Sequence, residues 1–148
     1  SRSMAGFDMA ESFNTERWRR AVIGSGSGHA TARSVATLYG QLIADDGLIG
    51  PSLKRLALEE TGCSDGDDPI LGMPIRYSTG FELSYPPSLD FGPNPRTAGY
   101  WGAGGALGFA DPDAELAFGY VTRHMAPDLG CSARGRSLVA ALYGALEG

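Results

Sequence analysis

The chain has 148 residues, of which 43% are hydrophobic and 20% are charged, values typical of one globular domain with a core. Its formal net charge is -5 and its 12 lysines and arginines form no long basic stripe, which excludes a typical nucleic-acid-binding surface. No run reaches the roughly 18 apolar residues of a membrane-spanning helix, and residues 1–20 lack a signal-peptide pattern. The compartment is left open, with the cytoplasm favoured.

The first segment, residues 1–28, is weakly patterned and ends in the glycine- and serine-rich stretch Gly24–Gly28, which predicts irregular structure. It carries too many large apolar side chains for a free tail. These are Phe7, Met9, Phe13 and Trp18. We therefore expect the segment to lie against another surface, and the isolated chain to expose a patch and self-associate.

Two helices are predicted next. The first runs from Thr31 to the turn Asp45–Gly47, because apolar residues recur there at helical spacing and a glycine follows the end. The recurring residues are Val35, Leu38, Tyr39, Leu42 and Ile43. The second helix spans residues 51–60, with Pro51 in its first turn. Residues 61–74 are rich in turn formers.

Strands are predicted in the middle of the chain. Residues 76–84 form one strand-like run with large side chains at Tyr77, Phe81 and Leu83, in which Gly80 indicates a bulge or a close approach of backbone. Residues 98–102 and 106–110 are two further runs, and the second is joined by four turn residues to the apolar segment 115–123. Two such runs around a short turn predict an antiparallel hairpin.

The last element is a helix over residues 132–146, which has one apolar stripe. The stripe consists of Leu138, Val139, Leu142, Tyr143 and Leu146. The order of elements predicts an α+β fold in which an antiparallel sheet of three to four strands is covered by helices. Cys63 and Cys131 belong to no CxxC pair, which argues against a zinc or redox site, and whether they pair is left open.

Four local sequences, taken in order, resemble the serine β-lactamase/penicillin-binding-protein-like superfamily, which includes esterases. They are Phe13–Ala21, His29–Arg33, Phe91–Pro95 and Gly102–Asp111, and the last is the most specific. The resemblance covers roughly residues 13–148 and implies the C-terminal half of a β-lactamase-like fold. Residues 29–148 would then be an incomplete domain, preceded by the irregular segment 1–28.

The catalytic elements of that superfamily are not in this chain. Its members acylate the serine of a Ser-x-x-Lys motif, while the lysine and the tyrosine of a Tyr-x-Asn motif move protons. Lys54 is the only lysine and follows Pro51 by three residues, and none of the six tyrosines has asparagine two residues on. The resemblance therefore implies a nucleophile in an absent N-terminal half, and we expect this chain alone to be inactive.

The third family motif, Lys-Thr-Gly or a histidine variant, is placed at Tyr100–Gly102. The resemblance implies that the backbone N–H of Ala103 is an oxyanion-hole donor and that substrate contacts Tyr100, Trp101, Gly102, Ala103 and Gly104. Tyr100 stands where the family carries a cation, and a neutral phenol disfavours substrate carboxylates. An ester is therefore expected as substrate rather than a β-lactam, with no metal and no cofactor implied.

Other interpretations stay open. Gly102, Gly104 and Gly105 are also explained by a turn or bulge, and Trp101 by a place in the core. Asp111 is expected to serve the turn before Ala114. The whole protein is either a serine esterase or a non-catalytic binding protein of the same fold, and the fragment is either monomeric or a homo-oligomer.

Overall fold

The computed structural model describes residues 12–64, 66–126 and 132–148, in two compact units, Ser1–Thr31 and Ala32–Gly148. In the first unit the helix α1 (Glu16–Arg20) begins at Thr15, whose side chain accepts a hydrogen bond from the N–H of Trp18. The rings of Phe13 and Trp18 pack with centroids 4.7 Å apart. The segment predicted to be irregular thus contains a short, capped helix, whereas Phe7 and Met9 lie outside the described residues.

The predicted helices of the second unit are α2 (Ala32–Ile43), α3 (Pro51–Leu58) and α4 (Ala133–Leu146). Ser132 caps α4 by accepting the N–H of Gly135. The ammonium group of Lys54 donates to the carbonyls of Ile43 and Ala44, both at 2.8 Å, so the sole lysine satisfies carbonyls at the C-terminal end of α2.

The described residues contain a sheet of six strands, each antiparallel to the next in chain order, so the predicted α+β antiparallel fold is confirmed. The strands are β1 (Gly62–Cys63), β2 (Arg76–Tyr77), β3 (Glu82–Leu83), β4 (Ala98–Trp101), β5 (Leu107–Asp111) and β6 (Leu116–Tyr120). The sheet has more strands than the predicted three to four. The prediction fell short because β1, β2 and β3 have only two residues each, which is too few to give a recognisable sequence pattern.

The prediction of a single strand over residues 76–84 was wrong, because the structure divides this segment into β2 and β3. Gly80 has φ +90°, in the left-handed region that favours glycine, and the N–H of Ser78 donates to the carbonyl of Phe81 at 3.0 Å. Gly80 therefore makes a tight turn rather than a bulge. The strand β1 lies in the segment that was predicted to be turns.

The two faces of the sheet are covered by different helices. On one face Trp101, Phe109 and Phe91 form an aromatic cluster with Val139 of α4, and the Phe91 ring stacks on Trp101 at 5.9 Å. On the other face α2 lies against β5 and β6. This approach needs glycine, because a Cβ added to Gly119 would lie 2.4 Å from the carbonyl oxygen of Ala32.

Asp111 ties the end of the β5–β6 hairpin to the rest of the unit. Its side chain is fully buried, and Oδ1 accepts the N–H groups of Asp113 and Ala114, so the predicted turn role is confirmed. The other oxygen, Oδ2, accepts from the amide of Asn94 at 2.7 Å and from the hydroxyl of Tyr143 at 2.5 Å. One carboxylate thus links the turn, the loop before β4 and helix α4.

Candidate functional site

The predicted site lies at the end of β4 and in the turn that leads to β5. The N–H of Gly102 donates to the carbonyl of Ala106 at 2.7 Å, and the N–H of Gly105 donates to the carbonyl of Gly102 at 3.0 Å. Gly104 and Gly105 have φ of +87° and +94°, so the turn itself requires glycine at both positions. Ala103, the predicted oxyanion donor, is exposed in this turn.

Tyr100 and Trp101 are neighbours in sequence but occupy different environments, since successive side chains of a strand point to opposite faces. Tyr100 is 53% exposed, whereas Trp101 is 4% exposed. The indole of Trp101 also lies so close to α4 that a Cβ on Gly135 would be 2.3 Å from its ring. Trp101 therefore packs in the core. Contact between this residue and substrate stays a prediction, and it would involve the backbone of Trp101 rather than its indole.

Gly104 packs against the segment that follows β6. A Cβ on Gly104 would be 2.7 Å from Met125, and its carbonyl accepts the N–H of Ala126 at 2.8 Å. A Cβ on Gly105 would be 2.9 Å from the hydroxyl of Ser132. Both glycines thus permit close packing as well as the turn, which leaves Tyr100, Gly102 and Ala103 as the more accessible predicted site residues.

Glu82 is a residue of this region that the sequence analysis missed. Its side chain is 5% exposed, and Oε2 accepts the N–H of Trp101 at 3.4 Å. Burial raises the pKa of Glu82 to about 7, although the bond from Trp101 lowers it. A single acidic residue between the apolar Phe81 and Leu83 was the signal in the sequence that could have found it.

The Glu82 carboxylate influences two tyrosines. Burial, with the Glu82 carboxylate and Tyr100 as smaller causes, raises the pKa of Tyr39 to about 12. The same causes, followed by Asp68 as the smallest, raise the pKa of Tyr77. The charge of Glu82 thus acts on side chains of both α2 and β2.

The chain also carries reactive histidine and cysteine side chains. His29 lies in the first unit, with Nδ1 2.9 Å from the carbonyl of Ser27. Cys63 is exposed and Cys131 lies outside the described residues, so their pairing stays untested. In the part of the chain that the structure describes, no three His, Cys, Asp or Glu side chains come together as a metal site, and no helix is long and apolar enough to cross a membrane.

Solved structures that are similar to this chain include three proteins. A family VIII carboxylesterase is 31% identical with a TM-score of 0.79, and the match covers 88% of this chain and 36% of that one. A penicillin-binding protein homolog from Caulobacter crescentus is 33% identical with the same TM-score and the same coverage. EstA from Arthrobacter nitroguajacolicus Rue61a is 28% identical with a TM-score of 0.66, covering 80% of this chain and 32% of that one.

The chain therefore spans about a third of the length of these proteins. The comparison with curated protein sequences gives no match. The family model for beta-lactamase matches residues 2–142, which is nearly the whole sequence. With this match and the shared antiparallel α+β fold, the chain belongs to the beta-lactamase family of serine hydrolases and penicillin-binding proteins.

Proposed function

We propose that this chain is the C-terminal part of a serine hydrolase that cleaves carboxylic esters through an acyl-serine intermediate. The observation that carries the proposal is the exposed phenol of Tyr100 at the end of β4, where the family carries a cation. The similarity to a family VIII carboxylesterase supports it. The nucleophilic serine is assigned to an N-terminal half outside this sequence.

The charge of the site favours neutral substrates. Recognition of the carboxylate of a β-lactam calls for a cation, which the family supplies as lysine or histidine where this chain has Tyr100. A phenol offers a hydrogen bond without charge, so a substrate carboxylate would find no ion pair at this position. An uncharged ester needs no such ion pair.

The reaction needs two contributions from this chain. The serine hydroxyl gives its proton to a base of the absent half as its oxygen bonds to the ester carbon, and the negative charge that develops on the carbonyl oxygen is stabilised by the N–H of Ala103. The alcohol leaves with a proton supplied by the absent half, and water then hydrolyses the acyl-serine to release the acid. Tyr100 and Gly102 form one wall of the cleft, and no metal or cofactor takes part.

The partner in this proposal is the rest of the same protein. Within the described residues, β6 pairs with β5 alone, so its other edge presents unpaired N–H and C=O groups. A strand or loop from an N-terminal half could satisfy these groups. Self-association of the isolated chain through exposed surfaces, and a cytoplasmic location, stay predictions.

The test uses the full-length protein and the 148-residue chain side by side. We expect the full-length protein to hydrolyse p-nitrophenyl acetate faster than a chromogenic cephalosporin, and a fluorophosphonate to add its mass once. The chain alone should do neither. A full-length sequence without Ser-x-x-Lys and Tyr-x-Asn, or a protein with neither activity, would instead support the non-catalytic binding protein.

The role of Tyr100 can be tested separately. Tyr100→Lys should raise the rate of acylation by the cephalosporin relative to the ester by about tenfold, because it restores a cation at this position. Val121→Lys adds the same charge at another exposed position and should leave the ratio unchanged. Equal ratios in both variants would contradict the assignment of Tyr100 to the cleft.

A further inference from the structure

The end of β4 extends past the backbone of β3. Leu83 pairs with Ala98 and Glu82 pairs with Gly99, but the turn at Gly80 ends the ladder there. Trp101 is two residues beyond Gly99 and so has no β3 residue as its register partner. A buried N–H group without an acceptor destabilises the folded state, so the N–H of Trp101 needs an acceptor from elsewhere.

The direction of that N–H follows from strand geometry. The N–H of Gly102 points toward β5, where it donates to Ala106. Since successive N–H groups of a strand point to opposite sides, the N–H of Trp101 points toward β3. There it meets the Glu82 carboxylate, whose Oε2 is 3.4 Å away. A side chain thus takes the place of the missing β3 carbonyl.

A carboxylate differs from a backbone carbonyl because it can take up a proton. The titratable groups on which its charge acts are the phenols of Tyr39 from α2 and Tyr77 from β2. The pKa of Glu82 is raised to about 7 by burial, so its charge changes within the neutral range. The ionised form is the stronger acceptor for the N–H of Trp101.

We propose that Glu82 is a positioning residue whose ionised carboxylate holds the N–H of Trp101 and thereby fixes the strand end that presents Tyr100 and Ala103. Protonation of Glu82 weakens this hold. Ala103 follows Trp101 by two residues, so any shift of the Trp101 backbone displaces the predicted oxyanion donor. The effect on catalysis rests on the proposed esterase function, whereas the effect on Trp101 does not.

The first test follows the backbone amide of Trp101 in the ¹⁵N-labelled full-length protein by NMR as a function of pH. We expect its shift to titrate with a midpoint near pH 7, as the pKa of Glu82 requires. Glu82→Gln keeps an acceptor oxygen without the charge change, and should abolish this titration. The control Glu115→Gln, at an exposed position, should keep it. A Trp101 amide that does not titrate, or that titrates equally in Glu82→Gln, overturns the proposal.

The second test measures ester hydrolysis by the full-length protein. We expect kcat to fall as pH decreases through 7, and Glu82→Gln to lose this inflection while Glu115→Gln retains it. Glu82→Leu removes the acceptor, and should lower kcat about tenfold with KM within about twofold, as expected when only transition-state stabilisation is lost. An unchanged kcat in Glu82→Leu, with only thermal stability reduced, would show a merely structural role and overturn the proposal.

The two tests separate the possible failures. If Glu82→Leu does not fold, the pH profile of Glu82→Gln decides the question. If the full-length protein hydrolyses no ester, the proposed function fails, and the NMR titration still establishes or overturns the control of Trp101 by Glu82.

Discussion

The two halves of the sheet are built in different ways. The strands β4, β5 and β6 have four or five residues each and pair through continuous registers, such as the five pairs from Leu107↔Tyr120 to Asp111↔Leu116. The strands β1, β2 and β3 have two residues each. The long half is held by its backbone ladder and by helices on both faces, whereas the short half depends on side chains.

Arg76 shows how side chains replace the ladder. Its guanidinium group donates to the Glu60 carboxylate at 2.6 Å and to the carbonyls of Ser84 and Pro95 at 2.7 and 3.2 Å. Ser78 similarly donates to the carbonyl of Ala57 at 2.7 Å. Short strands thus gain their order from specific polar contacts. Glu82 lies where the two halves meet, since it belongs to β3 and bonds to β4.

The largest effect should come from Asp111, whose buried carboxylate holds the end of the β5–β6 hairpin in the long half. Asp111→Ala leaves the amide of Asn94 and the hydroxyl of Tyr143 without an acceptor, and we expect a loss of about 4 kcal/mol in the free energy of unfolding. Urea denaturation measures it. The control Asp113→Ala removes an ion pair with Arg96 from the surface of the same turn and should cost less than about 1 kcal/mol. Equal losses would contradict the assigned role of Asp111.

The junction between the halves should make stability depend on pH. The pKa of Glu82 rises from 4.5 to about 7 on folding, so its contribution is complete below pH 4.5 and is lost as the pH rises through 7. We expect the free energy of unfolding to fall by up to about 3 kcal/mol between pH 4.5 and 8, relative to Glu82→Gln. Urea denaturation at both pH values tests this. Parallel pH profiles for the two proteins would show that Glu82 is not coupled to folding.

The packing of α2 on the long half can be broken by one methyl group. A Cβ on Gly119 would lie 2.4 Å from the backbone oxygen of Ala32 and 2.8 Å from the nitrogen of Ala36. Gly119→Ala should therefore cost about 2 kcal/mol or more in thermal or urea unfolding. Gly144→Ala, where no atom lies within 4 Å, should stabilise α4 by up to about 1 kcal/mol. If Gly119→Ala left the free energy of unfolding unchanged, α2 would be able to shift away from β6 without destabilising the fold.

The smallest effect should be confined to the short half. Ser78→Ala removes the hydrogen bond to Ala57 and should cost about 1 kcal/mol. Hydrogen exchange should quicken at the amide of Thr79, which donates to Leu56, but not at amides of β5 such as Phe109. The control Ser137→Ala changes an exposed hydroxyl on α4 and should alter neither. Equal acceleration in β5 would show that the two halves unfold together.

The same contrast explains which parts of the site could be predicted. The turn after β4 is marked by glycines, so Tyr100, Gly102 and Ala103 could be placed at its edge from the motif. The partition of Tyr100 to the surface and Trp101 to the core depends on which face α4 covers, and the sequence pattern left that open. Glu82 was missed because its partner, the N–H of Trp101, is 19 residues away in the chain.

Local sequence was sufficient to predict the helices, the β5–β6 hairpin and the family, because periodicity, turn chemistry and motif residues act over a few neighbouring positions. Three features depend instead on long-range packing: residues 76–84 form two strands, Trp101 is buried and Glu82 bonds to the end of β4. These features depend on burial and on registers between distant segments, where a side chain acquires its charge state and its partner only after the chain has packed.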